Sequence, residues 1–315
     1  MLAAIKTKGG FVNCHAHFDK AFYITKEGLE TSMRLNMKEK WNLSDQIKRN
    51  STQEQIAERL RIALNLMVEQ GVKLTCSFVD AYEAVNHKAI DAALKVKEEY
   101  KDKTQLLIAT QPLGGLVDPQ ARRLYEEITA KADIAGGLPS KDRPRDDENY
   151  DILFSIAKNL DKPLHVHIDQ ENDPNEKDTE KLIKATIKHG YQGRVVAVHA
   201  ISVSCQPKKY RQEIFKQMAD AGIAVIICPT EAVNMVQLDQ YLAPIHNCIG
   251  NVPEMLEAGL TVGIGTDNVY DYYGPFNAGE MWFELHMLME ACRYYNFDEL
   301  VKIATTNGQK ILNIK

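Results

Sequence analysis

Short apolar runs rich in β-branched residues alternate with longer amphipathic stretches along the whole chain. Runs that are apolar at nearly every position are typical of parallel strands covered on both faces. Helical periodicity fills the intervals, for example over residues 52–70 and over residues 176–189, where Gly190 supplies a C-terminal stop signal. The predicted strands, in chain order, are residues 11–17, 72–80, 105–111, 134–139, 164–169, 194–199, 224–229 and 261–267.

Eight strands alternating with helices predict an α/β fold of the (β/α)8 TIM-barrel type, with a single domain over residues 1–315. A doubly wound open sheet is the alternative for such a pattern. No Gly-x-Gly-x-x-Gly segment opens a helix after a predicted strand, which favours the barrel. A last helix is expected near residues 298–312. Residues 140–150, dense in charge and proline, are expected to form a loop at the catalytic face.

The composition is that of an ordinary globular protein, with 44% apolar residues and a formal net charge of −5. Without a basic block the chain is not expected to bind nucleic acid. No apolar run approaches the roughly 18–20 residues of a membrane span, and the N-terminus is too polar for a signal peptide, so no membrane association is expected. The six cysteines lack framework spacing, which predicts reduced thiols and a cytoplasmic location. Cys14 alternates with His15 and should point outward, towards the helices.

Metal-binding side chains stand at the ends of four predicted strands. His15 and His17 are one residue apart and therefore share a strand face, while His167, His199 and Asp267 end the fifth, sixth and eighth strands. In (β/α)8 barrels the chemistry lies at this carboxyl-terminal end. Three neutral imidazoles and one carboxylate suit a single divalent transition metal, zinc or iron. Water bound to such an ion ionises near neutral pH and can attack an electrophilic carbon.

Neighbouring positions leave alternatives open. His165 faces the same way as His167, but His167 lies nearer the catalytic end and is the preferred ligand. Gly263 and Gly265 either leave space beside the metal for a substrate or ease tight packing between strands. Lys20 either reaches a substrate oxygen or anion, or is a solvated loop charge.

These residues resemble the amidohydrolase superfamily, and within it the cytosine deaminase-like branch that uses one metal ion. The resembling segments are residues 10–19 (GFVNCHAHFD), 165–173 (HVHIDQEND), 196–200 (VAVHA), 265–271 (GTDNVYD), 273–276 (YGPF) and 304–312 (ATTNGQKIL). The resemblance implies that His15, His17, His167 and Asp267 bind the ion. It also implies that His199 hydrogen-bonds the attacking water or the substrate, and that Asp267 doubles as a proton acceptor.

Three departures from the family pattern bear on the substrate. Gln170 stands where the deaminases have a proton-shuttling glutamate, and the carboxylate Glu171 comes one residue later. Glutamine cannot act as an acid or base, and Glu171 replaces it only if the loop backbone shifts. Asn268 stands where the family often has a second carboxylate. Leu113 aligns with the glutamine that binds cytosine, with Gln111 two positions earlier, so cytosine is not the expected substrate.

The family also carries a small β-sandwich built from sequence before and after the barrel. The chain has neither flank, which predicts a bare barrel, natural or truncated. Self-association that covers the exposed edge, giving a homo-oligomer, is a hypothesis.

The expected function is hydrolysis of a non-peptide C–N bond in a small cyclic substrate, an amino-heterocycle or a cyclic amidine, by a metal-activated water. One alternative is a two-metal cyclic amidase of the same superfamily. It requires a carboxylated lysine at the end of the fourth strand, and Lys141 lies two residues past Pro139. A second alternative is a barrel that binds a small molecule without turnover, which Gln170 and the missing flanks favour.

Overall fold

The computed structural model of the chain describes residues 1–26, 28–29, 35–235 and 249–313, and eight parallel strands form its centre. Each observed strand lies within the predicted range of residues. The strands are β1 (Phe11–Ala16), β2 (Val72–Asp80), β3 (Gln105–Gln111), β4 (Ala135–Gly137), β5 (Leu164–Ile168), β6 (Val195–His199), β7 (Ala224–Ile227) and β8 (Val262–Ile264).

The strand order runs around a closed barrel. Strands β1 to β3 pair in sequence order, as do β4 to β8. Isolated parallel bridges join the two sheets at both seams, between Ala16 and Asp267 and between Ala109 and Ile134. Only a single bridge closes each seam. The strands therefore form two separately hydrogen-bonded sheets, which together make up one barrel. The predicted barrel fold is confirmed.

Helices surround the strands and also cover one mouth of the barrel. They are α1 (Leu2–Thr7), α2 (Met37–Asn50), α3 (Gln53–Glu69), α4 (Lys88–Tyr100), α5 (Pro119–Lys131), α6 (Asp146–Asn159), α7 (Asp178–Lys188), α8 (Ile201–Ser204), α9 (Lys208–Asp220), α10 (Pro229–Val233), α11 (Val252–Glu257), α12 (Met281–Cys292), α13 (Phe297–Ala304) and α14 (Thr306–Leu312). No helix in the described ranges combines the length and apolar character needed to cross a bilayer.

Two predicted segments differ from the structure. The last helix is two helices, α13 and α14, separated at Thr305, whose φ of −137° and ψ of −90° are not helical. The loop expected over residues 140–150 is shorter, since a 3₁₀ turn covers Pro139–Asp142 and α6 already begins at Asp146. Three acidic residues in the first turn of α6 favour this early start, because carboxylates stabilise a helix N-terminus.

The buried apolar residues separate into a layer between strands and helices and a cluster inside the barrel. Cys14 belongs to the inner cluster with Cys76 and Phe78, so the prediction that it points outward is wrong. The pairing of β1 with β2 shifts register between Asn13 and Ala16, which breaks the alternation of side chains.

Candidate metal centre and adjoining pocket

Five metal-binding side chains meet inside the barrel at the carboxyl-terminal ends of the strands, and all are buried: His15, His17, His167, His199 and Asp267. Two overlapping groups have ligand atoms within 4.8 Å of one another, His15 with His17 and His167, and His15 with His199 and Asp267. The structure thus brings together every residue predicted as a ligand, together with His199. His165 is equally buried on the same strand face as His167 but belongs to neither group.

Short distances between nitrogen and oxygen atoms define the centre of the cluster. Asp267 Oδ1 lies 3.3 Å from His17 Nε2 and 3.6 Å from His15 Nε2. Asp267 Oδ2 lies 3.6 Å from His199 Nε2, and His167 Nε2 lies 3.4 Å from His17 Nε2. The other ring nitrogen of His167 faces the backbone carbonyl of Gly137 at 3.2 Å, which orients the ring as partners of metal ligands do.

Unusual backbone angles aim two of these side chains. Val196 and Val198 face the barrel interior, so regular alternation would point His199 towards the helices. His199 has a φ of +81°, and this left-handed conformation turns its ring inward. Asp267 also has a positive φ, +58°. Non-glycine residues held in this region are strained and concentrate at functional sites.

Burial and charge set the protonation states of the cluster. Loss of hydration, with the nearby Lys20 ammonium, lowers the pKa of His17 to about 3. Burial lowers the pKa of His199 to about 4 and that of His167 well below its ordinary range. Burial alone would raise the pKa of Asp267, but the surrounding histidines outweigh it and hold that pKa well below its ordinary range. Neutral imidazoles and a carboxylate are the forms that bind a divalent metal.

Unpaired polar atoms support the fit of an ion. Within the described residues, both ring nitrogens of His15, Nδ1 of His17 and of His199, and Oδ2 of Asp267 are buried without a hydrogen-bond partner. Leaving so many buried polar atoms unpaired is costly unless another group binds them. A divalent cation at the centre of the cluster would satisfy those that point towards it, so the residues fit a single transition metal.

A pocket opens from this cluster towards α2. The predicted substrate-binding residues Lys20, Gln111, Leu113 and Asn268 all line it, as does Gln170. The remaining lining residues are His17, Met37, Trp41, His167, His199, Glu231, Met235, Asp267 and Tyr273.

Glu171 lies outside this pocket and lines a neighbouring depression with Glu176 and Arg143. Its backbone is fixed there, because its N–H donates to Glu176 Oε2 at 3.2 Å and its carbonyl accepts from Ser202 Oγ at 2.9 Å. The one-residue displacement from the family position therefore turns Glu171 away from the metal cluster.

Lys20 lines the pocket and also forms a buried ion pair with Asp80. It is 3% exposed, so the alternative of a solvated loop charge does not hold. Its ammonium donates to Asp80 Oδ1 at 2.6 Å and to Gln111 Oε1 at 2.7 Å. The other oxygen of Asp80 pairs with Lys48 of α2 at 2.8 Å. This buried triad joins α2 to the mouth of the barrel.

Close packing explains the two glycines of the eighth strand. A Cβ on Gly265 would lie 2.6 Å from the backbone oxygen of His15, and one on Gly263 would lie 2.9 Å from Cys14 Sγ. Neither glycine lines the pocket. They allow close contact with β1, and the interpretation that they leave space for a substrate is not supported.

Sequence reasoning missed several residues that line the pocket, among them Glu231, Met37 and Trp41. Glu231 lies in α10, four residues after Ile227 at the end of β7, and its place after a strand end was the signal available. Met37 and Trp41 belong to α2, which covers the barrel mouth. Nothing in the sequence distinguishes α2 from a helix on the outside of the barrel. Lys141, the lysine of the two-metal alternative, lies with its Nζ 4.0 Å from the Trp41 ring centre and lines no part of the pocket.

A family model, that of the amidohydrolase family, matches residues 9–315. A Haemophilus influenzae protein of unassigned function is 38% identical over 252 residues, which cover 79% of this chain and 91% of that protein. N-isopropylammelide isopropyl amidohydrolase of Pseudomonas sp. (strain ADP) is 27% identical over 277 residues, covering 86% of this chain and 65% of that enzyme.

Among solved structures, 5-methylcytosine deaminase of Klebsiella pneumoniae bound to 5-fluorocytosine superposes with a TM-score of 0.88. The match covers 96% of this chain and 74% of the deaminase, at 24% identity. The likeness shows a common fold.

Proposed function

The chain belongs to the amidohydrolase family, and we propose that it hydrolyses an exocyclic C–N bond of a small nitrogen heterocycle with one zinc or iron ion. One observation carries the proposal: four histidines and Asp267 converge, largely unpaired, at the base of a pocket lined with amide, ammonium and carboxyl groups. The relatives named for removal of an amine from a heterocyclic ring support the same class of reaction.

The ion would be held by His15, His17, His167 and Asp267. When bound, a divalent ion of this kind lowers the pKa of water and polarises the carbon under attack. Phe78 packs against the cluster, with its ring centre 4.7 Å from that of His15 and 4.8 Å from that of His167. This apolar contact excludes solvent from the inner side of the site, which strengthens electrostatic interactions there.

The two oxygens of Asp267 face different neighbours, so each oxygen can have a different role in the reaction. Oδ1 lies closest to His17 and His15, on the side of the proposed ligands, whereas Oδ2 lies beside His199. We assign Oδ1 to the ion and Oδ2 to the proton that the attacking water gives up. His199 Nε2 would then hydrogen-bond the water or the substrate.

The same carboxyl would complete the reaction, because Gln170 cannot transfer a proton and Glu171 lies in another depression. Water adds to the ring carbon and its proton is held at Asp267 Oδ2. That proton passes to the leaving nitrogen, the C–N bond breaks, and an oxo-substituted ring and a free amine result. Lys20, Gln111 and Asn268 would hold the ring.

Metal content of the purified protein tests the proposal. Plasma mass spectrometry should find about one transition-metal ion per chain in the wild type and little in His167→Ala. His165→Ala, on the same strand and face but outside the cluster, is the matched control and should retain the ion.

Turnover is then measured as amine or ammonia release from aminotriazines, N-alkyl ammelides, aminopyrimidines and cyclic amidines. Asp267→Asn should abolish it. Absence of metal after reconstitution would refute the proposal. Binding of these compounds without product would favour the ligand-binding barrel, and two ions per chain would favour the two-metal amidase.

A further inference from the structure

Glu231 is a buried carboxyl group of the pocket that the proposed reaction leaves without a role. It is 4% exposed and lines the same pocket as His199, Asp267 and Asn268. Its Oε2 is buried and has no hydrogen-bond partner among the described residues. A buried acceptor without a donor is costly, so a ligand that supplies one would gain the corresponding free energy.

The surroundings of Glu231 fix the start of its helix but supply no hydrogen-bond donor to its Oε2. Glu284 accepts a hydrogen bond from the backbone N–H of Thr230 at 3.0 Å, which fixes the start of α10. On the other side, a Cβ on Gly274 would lie only 3.2 Å from Glu231 Oε2. The absence of a side chain at Gly274 therefore gives the carboxyl its room beside the pocket.

The pocket wall near Glu231 presents hydrogen-bond acceptors. One N–H of the Asn268 side-chain amide donates to Asp271, which leaves the carbonyl oxygen and the second N–H of Asn268 available to a ligand. Glu231 offers at least one accepting oxygen whether or not it carries a proton. This part of the pocket therefore complements N–H groups.

The opposite wall presents donors. In an eight-stranded barrel the third and seventh strands lie across the axis from one another, so Gln111, the last residue of β3, faces Glu231, which follows β7. The Gln111 oxygen is occupied by Lys20, which leaves the amide N–H groups of Gln111 for a ligand. Lys20 uses two of its three donors on Asp80 and Gln111 and retains one. This wall can therefore donate hydrogen bonds to an oxygen of the ligand.

We propose that Glu231 is a specificity-determining residue that accepts a hydrogen bond from a ring N–H of the substrate, on the edge opposite a ring oxygen bound by Lys20 and Gln111. The inference rests on the proposed function and narrows its substrate class. The substrate is an oxo-substituted nitrogen heterocycle that carries both C=O and N–H groups, as opposed to a fully aminated or an apolar ring. A site built around buried polar groups rejects rings that leave those groups unpaired.

Cyanuric acid is the probe, since it has alternating C=O and N–H groups and no exocyclic amine to lose. Its Kd is measured by titration calorimetry on zinc-loaded wild type, Glu231→Gln, Glu231→Met and Glu257→Gln. Glu231→Gln keeps an accepting oxygen and should bind within about threefold of wild type. Glu231→Met keeps the chain length without an acceptor and should bind about tenfold more weakly. Glu257, an exposed carboxylate of α11, is the matched control, and its variant should bind as wild type does.

Two results overturn the inference: a Kd for Glu231→Met within threefold of wild type, or no binding of cyanuric acid by the loaded wild type. Metal content measured on the same samples separates this failure from failure of the proposed function. A loaded protein with unaltered binding in Glu231→Met refutes the role of Glu231 alone. A wild type that holds no metal refutes the proposed function. Thermal midpoints of both Glu231 variants near that of wild type establish that they are folded.

Discussion

The carboxylate of Asp80 forms ion pairs with two buried lysines beside the candidate metal centre. Lys20 and Lys48 are each 3% exposed, and both ammonium groups are directed at this one carboxylate. Burial alone would raise the pKa of Asp80, but the two lysines reverse the effect and hold it well below its ordinary range. The backbone N–H of Asp80 donates to Asp19 at 2.9 Å, so a second carboxylate adjoins the triad. Lys20 owes its position in the pocket to this arrangement.

Replacing Asp80 with alanine should destabilise the fold by about 3–5 kcal/mol, because it leaves two ammonium groups buried without their partner. Urea denaturation followed by circular dichroism measures the loss. Adding Lys48→Met to Asp80→Ala should recover part of it, because one uncompensated charge is removed. Glu83→Ala is the control, since its ion pair with Arg49 is exposed and its loss should be negligible. Equal effects of Asp80→Ala and Glu83→Ala would contradict this account.

Residue positions at strand ends could be predicted, because the chemistry of a parallel barrel gathers at one end of its strands. That argument placed His15, His17, His167, His199 and Asp267 together at the ends of predicted strands, and the resemblance to the amidohydrolase superfamily implied which of them bind the ion. It could not locate a side chain whose direction depends on the loop that follows. Glu171 and Glu231 both follow strands by a few residues, yet only Glu231 enters the pocket. The hydrogen bonds that fix these two segments include ones to Ser202 and to Glu284, which are distant from them in the sequence.

At the scale of elements, the strands were predictable and the elements around the barrel mouth were not. Apolar runs specify a strand wherever the chain is buried on both faces. The helix α2 has a polar N-cap at Asn36 with a capping box, like any surface helix. Its position over the pocket depends on tertiary contacts, the Lys48–Asp80 ion pair and the hydrogen bond between Ser44 and Tyr273. Such pairings over long sequence separations leave no periodic signal.

The seam between β8 and β1 depends on close contact between two backbones. A Cβ on Gly265 would lie 2.6 Å from His15 O and 2.8 Å from both His15 Cβ and His15 N. Asp267 N donates to His15 O at 3.0 Å just beyond this contact. Separation of the strands at Gly265 would therefore displace His15 and Asp267 together.

Gly265→Ala should destabilise the protein by about 1–3 kcal/mol, the usual cost of overpacking, and should also reduce the metal content. Gly263→Ala is the matched control two residues away. Its Cβ would meet the ends of two side chains, Cys14 Sγ and Ile311 Cδ1, both at 2.9 Å, and these yield more easily than backbone. Denaturant titration measures the stability of both variants, and plasma mass spectrometry measures their metal content. Full metal occupancy in Gly265→Ala would show that the seam does not position the ligands.

For the whole molecule, the metal centre acts as a crosslink between strands that are distant in sequence. Its proposed ligands come from β1, β5 and the end of β8, which lie in both hydrogen-bonded sheets. Single bridges hold the two sheets together at their seams, so few backbone hydrogen bonds duplicate this connection. An ion at the cluster would therefore stabilise the closed barrel.

Removal of the ion should lower the thermal midpoint. Free metal at about 1,000 times its Kd adds roughly 4 kcal/mol to the folded state, which corresponds to a shift on the order of 5 °C for a chain of this size. Scanning calorimetry of the zinc-loaded protein before and after dialysis against a chelator measures this shift, and zinc added back should restore the midpoint. His167→Ala should show little change on chelation, because it lacks one of the ligands, whereas His165→Ala should respond as the wild type does. An unchanged wild-type midpoint would mean that the cluster holds no ion that stabilises the closed barrel.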